Sequence, residues 1–149
     1  MDGGTQGLLL LSYVCAASDL LIFDAIDFGL KPGELRLILD DDVPQYMGAK
    51  KVSMHQTGFQ EVLASAKLMN RYPKRLALIG VQPEELDDYG GSLRPRIKAQ
   101  IPEAITLALD ILRAWGVAVH KRHQPPSPEE QINPRELTLS KYEKERPIL

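Results

Sequence analysis

Apolar residues fill most positions from Gly7 to Ala17, behind Thr5, whose hydroxyl is placed to cap a helix. This pattern predicts a buried helix from about Gln6 to Ala17. Leu20-Leu21-Ile22-Phe23 then forms a short continuous apolar run closed by Asp24, which suits a strand covered on both faces, as in a parallel sheet. After the turn signal Lys31-Pro32-Gly33, the stretch Leu35-Arg36-Leu37-Ile38-Leu39 alternates enough to read as a second strand at a sheet edge. Asp40, Asp41 and Asp42 close it, and Val43-Pro44 begins a loop or one helical turn.

Between Gly58 and Tyr72 the residues Phe59, Val62, Leu63, Ala66, Leu68 and Met69 recur at helical spacing, and Pro73 is the expected stop. Leu76-Ala77-Leu78-Ile79-Gly80-Val81 reads as a third, buried strand ended by Pro83. Ser92 is placed to cap a long helix, begun or interrupted near Pro95 and Pro102. Its later part carries Ile105 through Trp115 to a stop at Gly116.

Strands alternating with helices predict an α/β fold, a three-layer helix–sheet–helix arrangement with a mostly parallel twisted sheet. Residues 1–119 form that domain. Residues 120–149 read as an exposed, disordered tail, because four prolines and many charges crowd positions 120–136. Three strands are visible, whereas sheets usually carry about five. Asp2-Gly3-Gly4 also reads like the end of a strand turning into a helix, so an opening unit is expected upstream.

Composition narrows the function classes. The 149 residues hold 18 basic and 20 acidic side chains, a net charge of −2, which gives no reason to expect nucleic acid or an anionic membrane as partner. The apolar run near the start has no Lys or Arg before it and falls short of the ~18 residues needed to cross a bilayer. A lone cysteine, Cys15, cannot form an internal disulfide and favours a reducing compartment. A cytoplasmic protein is the expectation.

The chemistry is concentrated in two segments. Asp24 sits where a buried strand ends, the place where open α/β sheets bind ligands, and Asp27 follows in the loop. Each also reads as a helix-cap or turn aspartate. His55 lies in Ser53-Met54-His55-Gln56-Thr57-Gly58, a polar loop before a helix, where it suits a ligand, an acid/base or a capping residue. Asp24 with His55 makes a carboxylate–imidazole pair for a borderline metal such as nickel or zinc. Two ligands are too few for a closed structural site and call for a third group or an open position. His120 and His123 flank Lys121-Arg122, whose charge opposes a cation, so they read as solvated tail. The Asp40–Asp42 run lacks the spacing and glycine of a calcium loop. There is no phosphate-binding Gly-rich loop and no G-x-S-x-G nucleophile elbow. Cys15, inside an apolar helix, reads as inert.

Taken in order, several segments resemble the hydrogenase maturation endopeptidases. They are Asp2-Gly3-Gly4-Thr5, Asp24-Ala25-Ile26-Asp27-Phe28-Gly29, Lys31-Pro32-Gly33, Val43-Pro44, Ser53 to Gly58, Gly80-Val81-Gln82-Pro83-Glu84 and Ser92-Leu93. The resemblance spans residues 2 to about 116, and the Asp24 and His55 segments look most like the uptake-hydrogenase branch. It implies an endopeptidase, described in the family as aspartyl-type. Such an enzyme removes a C-terminal extension from the nickel–iron hydrogenase large-subunit precursor after nickel insertion. Nickel comes with that substrate and is recognised through a glutamate, an aspartate and a histidine. The aspartate corresponds to Asp24 and the histidine to His55.

In the family the glutamate lies upstream of the Asp-Gly-Gly segment at which this chain starts. The first strand, first helix, most of the second strand and the glutamate are therefore expected to be missing, through a start codon placed too far downstream or a shortened form. Asp2 matches a different family position and Asp19 precedes its strand, so neither replaces the glutamate. Asp2 and Asp27 are the candidate supporting carboxylates for peptide hydrolysis. Two other functions stay open: a non-catalytic α/β module that docks on the precursor, and an unrelated α/β protein holding zinc. Loss of a βαβ unit would also expose a sheet edge and apolar faces, which favours association.

Overall fold

The computed structural model describes residues 7–46, 54–85, 93–124, 126, 127 and 130, and gives the backbone alone for Met54 to Thr57. A 3-10 turn, Gly7–Leu10, leads into α1 (Leu11–Ala16), followed by β1 (Asp19–Ala25) and β2 (Leu35–Leu39). The acidic run Asp40–Asp42 forms a second 3-10 turn that enters the single helical turn α2 (Val43–Tyr46). Then come α3 (Met54–Leu68), β3 (Arg75–Val81), the short α4 (Pro95–Lys98) and α5 (Ile101–Ala114). The capping roles assigned to Thr5 and Ser92, the residue Asp2, and most of the tail fall outside the described residues.

The strand order is β1-β3-β2. β1 runs parallel to β3, with Leu20 opposite Leu76, Ile22 opposite Leu78 and Asp24 opposite Gly80. β2 runs antiparallel to β3, so this part of the sheet is mixed. The reason is the short connection from β1 to β2, which turns at Lys31-Pro32-Gly33-Glu34. The Glu34 N–H donates to the Lys31 carbonyl at 3.0 Å, and Gly33 has φ 87°. Proline second and a positive-φ glycine third are what a type II turn requires.

Side-chain alternation gives the sheet two faces. Leu20, Ile22, Leu76, Leu78 and Ile38 join Val14, Val62, Leu63 and Ala66 in one core under α1 and α3. The opposite face of β3 carries Ala77 and Ile79, both buried, and meets α5, whose Ala108 and Ile111 are buried. Arg75 fastens that layer at the amino end of β3. It forms a two-pronged ion pair with Asp19 on β1, donates from Nη1 to the Trp115 carbonyl at 2.9 Å, and lies 5.2 Å from the Trp115 ring centre. The three-layer order is present, and β3 is covered on both faces as its apolar run requires. β1 is not: Phe23 is 55% exposed, because α5 lies over the central strand and no described element covers that end of β1.

Two helix boundaries differ from the sequence pattern. α3 begins at Met54, four residues before Gly58, so the backbone of His55 lies in the first helical turn rather than in a loop. Met54-His55-Gln56-Thr57 carries no hydrophobic periodicity, which is why it reads as polar loop. The same helix stops at Leu68, before Pro73. Asn70 adopts φ 55°, its N–H donates to the Lys67 carbonyl, and the Arg71 N–H donates to the Ala66 carbonyl. That is a Schellman end with asparagine in the left-handed position. Gly116 ends α5 by the same pattern, its N–H bonding Arg113 and that of Val117 bonding Leu112.

Candidate functional site

The carboxyl ends of β1 and β3 bring the chemistry together. Asp24, Gly80 and Arg36 occupy one row across the sheet, Asp24 opposite Gly80 and Gly80 opposite Arg36. By strand alternation all three face the α1/α3 side, with Ile22, Leu78 and Ile38 in the row beneath. The Asp24 side chain is half-buried, and its Oδ1 accepts the Ala25 N–H at 2.8 Å, which fixes one carboxylate oxygen against the strand end. α3 runs back along the sheet into β3. At 1.5 Å per residue its 15 residues span about 22 Å, the length of a seven-residue strand. Its first turn, with His55, therefore begins at the same end of the sheet as Asp24. The side chain of His55 is outside the described set.

Glycine in the middle of this row is a packing requirement. A Cβ on Gly80 would lie 2.6 Å from Cζ and 2.8 Å from Cε2 of Phe28, so the ring occupies the space a side chain would take. Phe28 also meets Tyr46 of α2, ring centres 5.6 Å apart and planes tilted by 60°. Arg36 is exposed on the far side of the ring from Asp24.

Gln82 holds the loop that carries Phe28. It is 5% exposed, and its Oε1 accepts the N–H groups of Phe28 at 2.8 Å and Leu30 at 3.1 Å. Its Nε2 donates to Asp27 Oδ1 at 3.1 Å, and the same oxygen accepts the Gly29 N–H at 3.0 Å. The Gln82 backbone joins the turn before β2, donating to the Glu34 carbonyl and accepting from the Gly33 N–H, each at 2.9 Å. Side chain and backbone of this one glutamine thus satisfy donors and acceptors along the whole β1–β2 connection, as a buried polar group must. Asp27 is a turn-forming residue in this arrangement.

The site expectations divide as follows. Asp24 stands at the carboxyl end of β1, with the backbone of His55 placed toward that end. Asp27 points into the loop network. His120 and His123 are exposed beyond α5. Among the described residues no three His, Cys, Asp or Glu side chains converge on one point. Asp19 is ruled out as a stand-in ligand: it lies five residues down the strand, about 16 Å away, and is committed to Arg75. That ion pair, chiefly through its hydrogen bond, holds the Asp19 carboxyl below its ordinary pKa. Gln82 and the Phe28–Gly80 approach were not singled out from sequence. The one available signal was a side-chain amide directly after the carboxyl end of a buried strand.

Comparison with known proteins identifies the family. The family profile HycI, hydrogenase maturation protease, matches residues 1–111. The hydrogenase expression/formation protein HoxM of Cupriavidus necator is 55% identical over 147 residues, which cover 99% of this chain and 73% of that protein. HupD of Bradyrhizobium diazoefficiens is 50% identical over 143 residues, covering 96% and 74% respectively. The solved structure of the hydrogenase maturating endopeptidase HybD from Escherichia coli superimposes with a TM-score of 0.72 at 37% identity, covering 78% of this chain and 71% of that one. No described helix is long and apolar enough to cross a membrane. A family profile over three-quarters of the chain, and relatives at half identity along nearly all of it, are decisive: the chain belongs to the hydrogenase maturation proteases.

Proposed function

We propose that this protein is the endopeptidase that removes the C-terminal extension of a nickel–iron hydrogenase large-subunit precursor once nickel has been inserted, working in the cytoplasm. The nickel belongs to the substrate, and Asp24 and His55 recognise it. The observation that carries this reading is the position of Asp24. Its carboxylate is half-buried at the carboxyl end of β1, with one oxygen bonded to the Ala25 N–H, at the end of the sheet where α3, with His55 in its first turn, begins. A carboxylate and an imidazole suit nickel as ligands. Two protein ligands leave coordination positions for the groups the precursor already supplies.

The function of such contacts is orientation. A precursor anchored through its nickel presents the scissile bond in a fixed place, and positioning of that kind can lower a barrier by several kcal/mol. The loop tied by Gln82 and Asp27 keeps the Phe28 ring seated between Asp24 and Arg36, so the wall of the site is rigid before substrate arrives. Asp2 is a second carboxylate candidate for supporting hydrolysis, by its place before Thr5 in the sequence.

One observation favours a docking module instead: among the described residues no group of three His, Cys, Asp or Glu side chains converges on one point, and Asp19 is held at the other end of β1. Cleavage of nickel-loaded and nickel-free precursor separates the two functions. Processing that requires nickel supports the protease reading, processing without nickel contradicts metal recognition, and binding without cleavage supports docking.

A further inference from the structure

A cavity of about 410 Å³ opens along β2, and its lining shows which part of the strand it follows. The four consecutive residues Arg36, Leu37, Ile38 and Leu39 all contribute to it. Successive strand side chains point to opposite faces, so a cavity that touches four in a row follows the strand's edge. Among the described residues β2 has β3 as its single strand neighbour.

The backbone pattern tells which groups meet the cavity. The Gln82 N–H donates to the Glu34 carbonyl, and the register sets Arg36 opposite Gly80 and Ile38 opposite Leu78. Antiparallel ladders alternate hydrogen-bonded and non-bonded pairs. Arg36 and Ile38 therefore bond β3, and the N–H and C=O groups of Leu35, Leu37 and Leu39 point outward. Leu37 and Leu39 are 39% and 45% exposed. An edge with this geometry is a template for one more strand.

Two charges bracket it. Arg36 lies near the start of β2, in the Asp24 row, and Asp42 lies beyond its end. Among the described residues neither forms a salt bridge. The rings of Phe28 and Tyr46 supply an apolar wall between them.

From these features we infer that the edge of β2 is the substrate subsite. An extended segment of the precursor's C-terminal region, about five residues long, pairs with Leu35–Leu39 as an added strand and sets an acidic group against Arg36. The inference rests on the protease reading above and extends it: the groove begins at Arg36, which shares a row with Asp24 across β3, so a segment bound there continues past the Phe28 ring toward the proposed nickel contact. The opposite charges at its ends fix the direction of the segment.

The probe is a fluorescent synthetic peptide spanning the cleavage site and extension of the large-subunit precursor from the same organism, free of metal. Fluorescence anisotropy measures its binding to the full chain. Leu37→Pro removes an outward N–H without taking a bond from β3, and it is expected to weaken binding about tenfold. Arg36→Glu is expected to do the same and to abolish the salt dependence of binding. In the unaltered protein, hydrogen exchange at the Leu37 and Leu39 amides slows when peptide is added, a readout that needs no variant. Unchanged exchange at those amides, or wild-type binding by a folded Arg36→Glu protein, overturns the subsite. Normal nickel-dependent processing of intact precursor by both variants rejects the groove while leaving the protease reading standing. A wild-type protein that binds the peptide with these effects but never cleaves loaded precursor keeps the groove and rejects the protease.

Discussion

Phe28 lies over Gly80, its Cζ 2.6 Å from where a β-carbon on that glycine would be. The ring therefore depends on a hydrogen atom in the middle of the Asp24–Arg36 row. Gly80→Ala must displace the ring or shift the strand, and overpacking of this kind costs about 1–3 kcal/mol. The thermal midpoint is expected to fall, and the double variant Gly80→Ala/Phe28→Leu to recover most of the loss. Equal stability of Gly80→Ala and wild type would show that the ring is free to move away.

Gln82 should be as sensitive as a core residue despite its polarity. Gln82→Leu leaves the Phe28 and Leu30 N–H groups without their acceptor and takes the Gln82 amide donor from Asp27, which keeps the Gly29 N–H. Each buried group so orphaned costs about 1–3 kcal/mol. Denaturant titration is expected to show a loss in that range or above it. Gln82→Glu keeps the acceptor but sets a carboxylate beside Asp27, and should also destabilise, with partial recovery toward acid pH.

Asp27 separates a turn residue from a catalytic one. Asp27→Asn keeps an Oδ1 that accepts from Gly29 and Gln82, so stability and processing are both expected to stay near wild type. Asp27→Ala removes the acceptor and should lower stability by about 1 kcal/mol. A stable Asp27→Asn protein with abolished cleavage would assign the carboxylate a chemical role.

Acid should weaken the contact between β1 and β3 at its amino end. The Asp19 pKa is lowered from 3.8, mainly by its hydrogen bond to Arg75. A carboxylate whose pKa is lower when folded contributes stability above its unfolded value and loses it as pH falls through the folded value. The gap in thermal midpoint between wild type and Asp19→Asn is therefore expected to be constant above about pH 5 and to close below 3.8. A gap that persists unchanged to pH 2 would contradict the ion pair.

The elements were legible in the sequence because each meets a local demand. β3 reads as a continuous apolar run because it is covered on both faces, and Gly33 and Gly116 mark the turns they make. The Phe23 run resembles that of β3, although no described element covers its outer face. His55 reads as a loop residue in the sequence because the first turn of α3 carries no apolar period. The Schellman end at Asn70 was hidden behind the more conspicuous Pro73. Asp24 stands out in the sequence because a carboxylate at the end of an apolar strand is a local signal. Gln82 does not, because its partners at Phe28 and Leu30 are 54 and 52 residues away. Such contacts follow from strand order, and local pattern does not contain strand order.

The most direct measurement is processing of nickel-loaded precursor by wild-type, Asp24→Asn and His55→Ala proteins, followed by gel shift of the large subunit. Asp24→Asn retains the 2.8 Å bond from Ala25 through its amide oxygen, so its fold and melting temperature are expected to be preserved. Its cleavage rate is expected to drop by about 100-fold or more, as loss of substrate positioning implies, and His55→Ala to drop comparably. Wild-type cleavage by a folded Asp24→Asn protein, or equal cleavage of loaded and nickel-free precursor by the wild type, would contradict nickel recognition at the end of β1.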